Sequence, residues 1–167
     1  MYTFDIVKKS HSNQSSPSNG AWEFMPHIIN HSNWRYDLKN LVEFSSSHNW
    51  DLKFNFEKEL DKGNKAVVIT DIDQTIQYVN FYFEKMTGYS REETFGRKPR
   101  FLQGPETDQI TKRKIRESLS QEKEVKATIL NYRKDQQSYL CRVKIYPIFN
   151  RDQVLVNYMA IEREVAA

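Results

Sequence analysis

Three β-rich runs close the chain: Val125 to Arg133, Tyr139 to Ile148 and Val154 to Arg163. They are joined only through Lys134-Asp135-Gln136 and Asn150-Arg151-Asp152. Links this short cannot carry a crossover, so the runs must pair antiparallel. Two shorter runs stand upstream, Ala66 to Thr70 and Thr75 to Val79, and the aspartates of Asp71-Ile72-Asp73-Gln74 suit a turn between them. The five runs predict one five-stranded antiparallel sheet.

The text between the two groups reads as short helices. Asn80 can cap a helix through Met86, and Gly88 stands just past its end, ready for the left-handed conformation. Ser90-Arg91-Glu92-Glu93 matches a capping box. Asp108 places a carboxylate at the start of a longer helix that runs to about Ser120, with Ile115 and Leu119 on one side. The fold class is therefore α+β, with helices over one face of the sheet.

Upstream of the sheet the composition changes twice. Residues Lys8 to Gly20 are almost free of apolar side chains, so 1–20 reads as a flexible tail in which Tyr2, Phe4 and Ile6 alternate either as a short docked strand or loosely. Residues 21–63 read as a helical N-terminal cap. Trp34, Leu38, Leu41 and Val42 fall on one face of a helix begun near Ser32 or Asn33. Leu52, Phe56 and Leu60 repeat the spacing up to Gly63. Residues 64–167 hold the sheet, and a length of 167 residues fits one domain with an elaborated terminus.

Charge and motif content narrow the function. Against 22 acidic residues stand 25 basic ones, interspersed, for a net charge of only +3, which is no nucleic-acid signature. No stretch is apolar enough to span a bilayer, and the start lacks a secretory signal. The lone Cys141 excludes an internal disulfide and a cysteine zinc cluster, and fits a reducing compartment, so a cytoplasmic location is expected. His27 and His31 are four apart without an evident third ligand, so no metal site is expected. No nucleophile elbow, phosphate-binding glycine loop or carboxylate constellation appears, and catalysis has no visible home.

The segment VITDIDQTIQYVNFYFEKMTGYSREETFGRKPRFLQGPETD, followed by KIRESL and LNYRKD, resembles the PAS family over about Lys65 to Glu164, and its light-oxygen-voltage (LOV) branch in particular. The resemblance implies a PAS fold acting as a sensory or docking module, not an enzyme. In photoreactive members a cysteine in the helix matching GRKPRFLQ attacks a bound flavin, and Pro99 stands at that place here. The resemblance also implies FMN contacts: Arg100 and Arg116 to the phosphate, Gln103 to the ribityl chain and Asn131 to the ring. Cys141 replaces an asparagine and Glu162 a glutamine, which removes two amide donors. Each unpaired ring atom would cost about 1 to 3 kcal/mol. An ionised Glu162 has no proton to give, so it would have to be protonated or turned away. Two readings stay open: a pocket that is empty or holds another small ligand, and an FMN site that signals by reduction without a cysteinyl adduct.

Two further expectations follow. Alternation puts Leu140 and Tyr146 on the sheet face that also carries Met159 and Ile161, a patch in need of cover by the N-terminal helices or by a second subunit. A homodimer or a signalling partner docked at these four residues is the expectation. Gln74 and Gln136 stand where family turns often carry glycine, at about 1 kcal/mol each if the backbone needs positive φ.

Overall fold

The computed structural model describes residues 29–51, 55–60 and 65–166, with side chains from residue 35 onward. Strands β1 (Ala66–Thr70), β2 (Ile76–Val79), β3 (Val125–Tyr132), β4 (Ser138–Phe149) and β5 (Leu155–Val165) form one sheet in the order β2-β1-β5-β4-β3. Every neighbouring pair is antiparallel. The β1-β2 hairpin closes on Asp71, whose carboxylate accepts from the Thr75 amide at 2.8 Å. Both of the turn residues singled out above sit at positive φ, 63° at Gln74 and 70° at Gln136.

Helices α3 (Phe81–Thr87), α4 (Arg91–Thr94) and α5 (Gln109–Ser120), with a 3-10 turn at Pro99–Leu102, lie over one face, called here the inner face. Their starts follow the sequence signals. Asn80 Oδ1 accepts from the amides of Phe83 (3.1 Å) and Val67 (2.8 Å), while its Nδ2 donates to the Lys65 carbonyl at 3.0 Å. One buried amide thus satisfies three backbone groups and ties α3 to β1. Gly88 ends α3 at φ 77°. Ser90 and Glu93 form the complete reciprocal capping box of α4, and Asp108 accepts from the amides of Ile110 and Thr111 at the start of α5.

Helices α1 (Ile29–Ser47) and α2 (Phe56–Leu60) cover the opposite, outer face. Leu41, Trp50, Phe56 and Leu60 are buried there against Val67, Ile69, Ile148, Met159 and Ile161. The junction also has polar ties. Trp50 Nε1 donates to Asn157 Oδ1 at 2.8 Å, and Asn157 Nδ2 donates to the Thr70 carbonyl at 3.0 Å. Asp37 on α1 is buried, with an Arg91 guanidinium nitrogen at 3.5 Å and the Tyr78 hydroxyl at 3.4 Å. Burial pushes the Asp37 carboxyl above its ordinary range, and Arg91 pulls it back.

Three expectations are corrected. The first helix is already running at Ile29, so Ser32 and Asn33 lie inside it rather than capping it. Val42 is 46% exposed. The ridge that docks is Asp37, Leu41 and Ser45, with two polar residues that apolar counting passes over; the Ser45 hydroxyl donates back to the Val42 carbonyl at 2.8 Å. Met159, with 0% exposure, and Ile161 are covered by the chain's own cap and are not open to a second subunit. Leu140 and Tyr146 remain half-buried. The expected tail at 1–20, the side chains of Trp34 and His31, and His27 and Leu52 lie outside the described residues.

Candidate functional site

Between the inner face and the helices lies a cavity of about 120 Å³. Period-2 alternation aims Tyr158, Ala160 and Glu162 of β5, Val143 and Ile145 of β4, and Ile129 and Asn131 of β3 at this space. Ile115 and Leu119 roof it from α5, as their shared helical face predicts. The Tyr158 hydroxyl donates to the Leu119 carbonyl at 2.9 Å and so holds the end of that helix over the cavity. The segment carrying Arg100 and Gln103 is tied to β3 next door: Thr107 Oγ1 donates to the Leu130 carbonyl at 2.8 Å and accepts from the Gly104 amide at 2.9 Å. A Cβ at residue 104 would lie 2.3 Å from the Tyr132 ring, so glycine is what lets this loop close against β3.

Glu162 sets the electrostatics. It is buried, and the Cys141 thiol approaches its Oε2 at 3.7 Å. Burial pushes the Glu162 carboxyl up to about 7, with the thiol contact pulling slightly the other way. Burial, and then the adjacent carboxylate, push the Cys141 thiol far above its ordinary value. The same two causes act in that order on Tyr139, which is buried in the same cluster. Near neutral pH the inner wall therefore carries one carboxyl poised between donor and acceptor, beside an inert thiol.

Five of the residues expected in a ligand site meet in this cavity: Pro99, Arg100, Gln103, Asn131 and Glu162. Cys141 is fully buried next to Glu162, in a cluster with Ile129, Tyr139 and Val143. Arg116 is exposed on α5 and does not contribute to the wall, although its neighbour Ile115 does. Sequence reasoning missed Thr70, Gln74 and Tyr158 as wall residues. Strand alternation contained the signal for Thr70 and Tyr158, which continue the inner faces of β1 and β5. A mostly apolar cavity with Asn131 and Glu162 on one wall and Arg100 and Gln103 on another suits a small ligand with an apolar body and polar edges. Among the described residues no group of three or more His, Cys, Asp or Glu side chains is placed to hold a metal ion, and no helix is long and apolar enough to cross a membrane.

The family model for the PAS domain matches residues 64–167. A blue-light photoreceptor of Listeria monocytogenes serovar 1/2a is 35% identical over 111 residues, covering 65% of this chain and 44% of that protein. Blue-light-activated histidine kinase 1 of Erythrobacter litoralis is 42% identical over 93 residues, covering 54% of this chain and 26% of the kinase. The chain thus spans less than half the length of these relatives. Among solved structures, the LOV domain of the Erythrobacter litoralis EL346 blue-light activated histidine kinase aligns at a TM-score of 0.58 and 33% identity, covering 61% of this chain and 96% of that domain. The light-state structure of the blue-light photoreceptor Aureochrome1 LOV aligns at 0.61 and 33%, covering 65% and 88%.

Proposed function

Residues 64–167 make this chain a member of the PAS domain family, and on that footing we propose that it is a non-enzymatic, cytoplasmic sensory module that reports the state of its inner cavity at its outer sheet face. One observation carries the reading: β5 serves both sides at once. Tyr158, Ala160 and Glu162 line the cavity, while Met159 and Ile161, interleaved with them, are buried under the cap. A side chain or ligand that shifts β5 from within must be felt by α1 and α2, because close-packed interfaces transmit small displacements. The output is docking of a signalling partner, or of a second copy, on the part of the outer face that the cap leaves open. Tryptophan emission tests the coupling in a chain with Trp22 and Trp34 replaced by phenylalanine, since the remaining Trp50 lies at the cap junction. Ala160→Met, which intrudes into the cavity, is expected to shift the emission; unchanged emission with an altered melting temperature contradicts the reading.

A second reading, an FMN-binding photosensor or redox flavoprotein, is supported by the convergence of Arg100, Gln103 and Asn131 on one cavity. When bound, a flavin supplies visible absorption and reversible reduction. The residues present fit its ring only with Glu162 protonated, because the ionised carboxylate has no donor to offer. Arg116, exposed outside the wall, would have to swing inward to meet a phosphate. With Pro99 where the reactive thiol is expected and Cys141 buried on β4, this reading contains no cysteinyl adduct. Purification in the dark after expression with FMN decides between the two. A structured band near 450 nm supports the flavin reading, and a colourless folded protein contradicts it.

A further inference from the structure

The outer face is only partly capped, and its open part has a definite chemistry. Beyond the cap, β3, β4 and β5 present three cross-strand ranks. Leu130, Leu140 and Val165 form an apolar rank, all half-buried. Thr128, Arg142 and Arg163 form the next, all exposed. Lys126, Lys144 and Ile161 form the third, where Ile161 passes under the cap. A groove of about 310 Å³ runs between these cations and α2, with Lys65, Arg142, Lys144 and Arg163 joined in its lining by Glu59, Glu162 and Ile161.

Like charges directly opposite each other on adjacent strands destabilise a sheet. The Lys126 and Lys144 pair is relieved by Glu124, at 3.7 and 3.1 Å. Lys126 also lies on an edge strand, where a lysine discourages edge-to-edge association. Neither explanation extends to Arg142 and Arg163. They face each other on strands inside the sheet, and among the described residues no acidic side chain pairs with either. A second copy docked by a two-fold axis would bring these cations against their own images. The three strands span about 10 Å, the width of one α-helix.

We propose that this surface docks an acidic amphipathic helix of a partner protein, with leucine-like side chains on the Leu130, Leu140 and Val165 rank and carboxylates on Arg142 and Arg163. The inference rests on the signalling reading above and names the chemistry of its partner. Arg142 and Arg163 then repel each other until the partner's carboxylates separate them, which trades stability of the free protein for recognition.

Fluorescence anisotropy of the full chain tests this with a labelled 20-residue peptide carrying a leucine stripe flanked by glutamates, against the same peptide with lysine in place of glutamate. The glutamate peptide is expected to bind at least about tenfold more tightly and to weaken as salt rises. Arg142→Glu puts an opposite charge across from Arg163. It is expected to cut peptide affinity about tenfold or more while raising the melting temperature by about 1–3 °C. A merely structural arginine would move stability and binding in the same direction. Equal affinity for both peptides, or full binding by Arg142→Glu and by Arg163→Glu, overturns the proposal. So does a concentration-dependent dimer dissociated by Arg142→Glu, or binding to phosphatidylserine vesicles without binding to the glutamate peptide. If neither peptide binds while Ala160→Met still shifts the Trp50 emission, the acidic helix is wrong and the signalling reading stands.

Discussion

Met159 is fully buried beneath the cap, while Ala160, the next residue on β5, lines the cavity on the opposite side of the sheet. One peptide unit therefore separates the sensed space from the surface that reports on it. Met159→Ala is expected to cost roughly 2–5 kcal/mol through the void it leaves, and a charge at the same place costs more. Urea denaturation reads both. A Met159→Asp protein of unchanged stability that has lost a dimer would instead return Met159 to an intersubunit contact.

Stability should fall as pH rises through the acid side of neutrality. Glu162 titrates at about 7 in the folded chain, against 4.5 for an ordinary glutamate. Between these values the folded state holds the proton that the unfolded state has released, so the folded state loses ground with each step upward. The loss totals roughly 3 kcal/mol and is complete above about pH 7. Glu162→Gln should remove the Glu162 share of this slope in urea midpoints taken from pH 4.5 to pH 8, while Asp37, which burial also pushes up, keeps its own share. A slope unchanged by the substitution assigns it to another group.

The left-handed turn residues make a prediction of the opposite sign. Gln74 and Gln136 hold φ values of 63° and 70°, a region that side chains with a Cβ occupy at a cost. Replacing either with glycine should stabilise the chain by about 0.5–1 kcal/mol, less whatever the unfolded glycine gains in freedom. Unchanged or lowered melting temperatures would mean that the glutamine side chains contribute interactions that offset their backbone strain.

The buried carboxylate of Asp37 depends on Arg91, 3.5 Å away. Arg91→Ala leaves that carboxylate under the cap without its cation, and α1 should loosen by roughly 1–3 kcal/mol. Double substitution with Asp37→Asn should recover part of the loss, since a neutral amide is cheaper to bury. Additive effects of the two changes would show that the contact does not couple the cap to α4.

The sheet, its helices and their caps could be read from the sequence because each depends on local rules. Asn80, Ser90 with Glu93, and Asp108 satisfy the first amides of their helices whatever the rest of the molecule does. Alternation likewise assigned Ala160 and Glu162 to one face and Met159 and Ile161 to the other. What covers the second face depends on long-range docking, which periodicity does not encode. The cap docks through Asp37, Ser45 and the Trp50 to Asn157 hydrogen bond, polar contacts that resemble surface residues until their partners are known. The cavity residues Pro99, Arg100, Gln103 and Asn131 came from the family resemblance. Arg116, implied by the same resemblance, is exposed on α5 outside the wall, although its neighbour Ile115 lines it.

Hydrogen exchange of the α1 amides from Leu38 to Ser47 tests the central claim most directly, comparing the native chain with Ala160→Met, whose longer side chain enters the cavity from β5. The account predicts that exchange in this helix changes by about threefold or more. Unchanged α1 exchange, in a variant whose melting temperature confirms that the cavity has been perturbed, would contradict the link between cavity and cap.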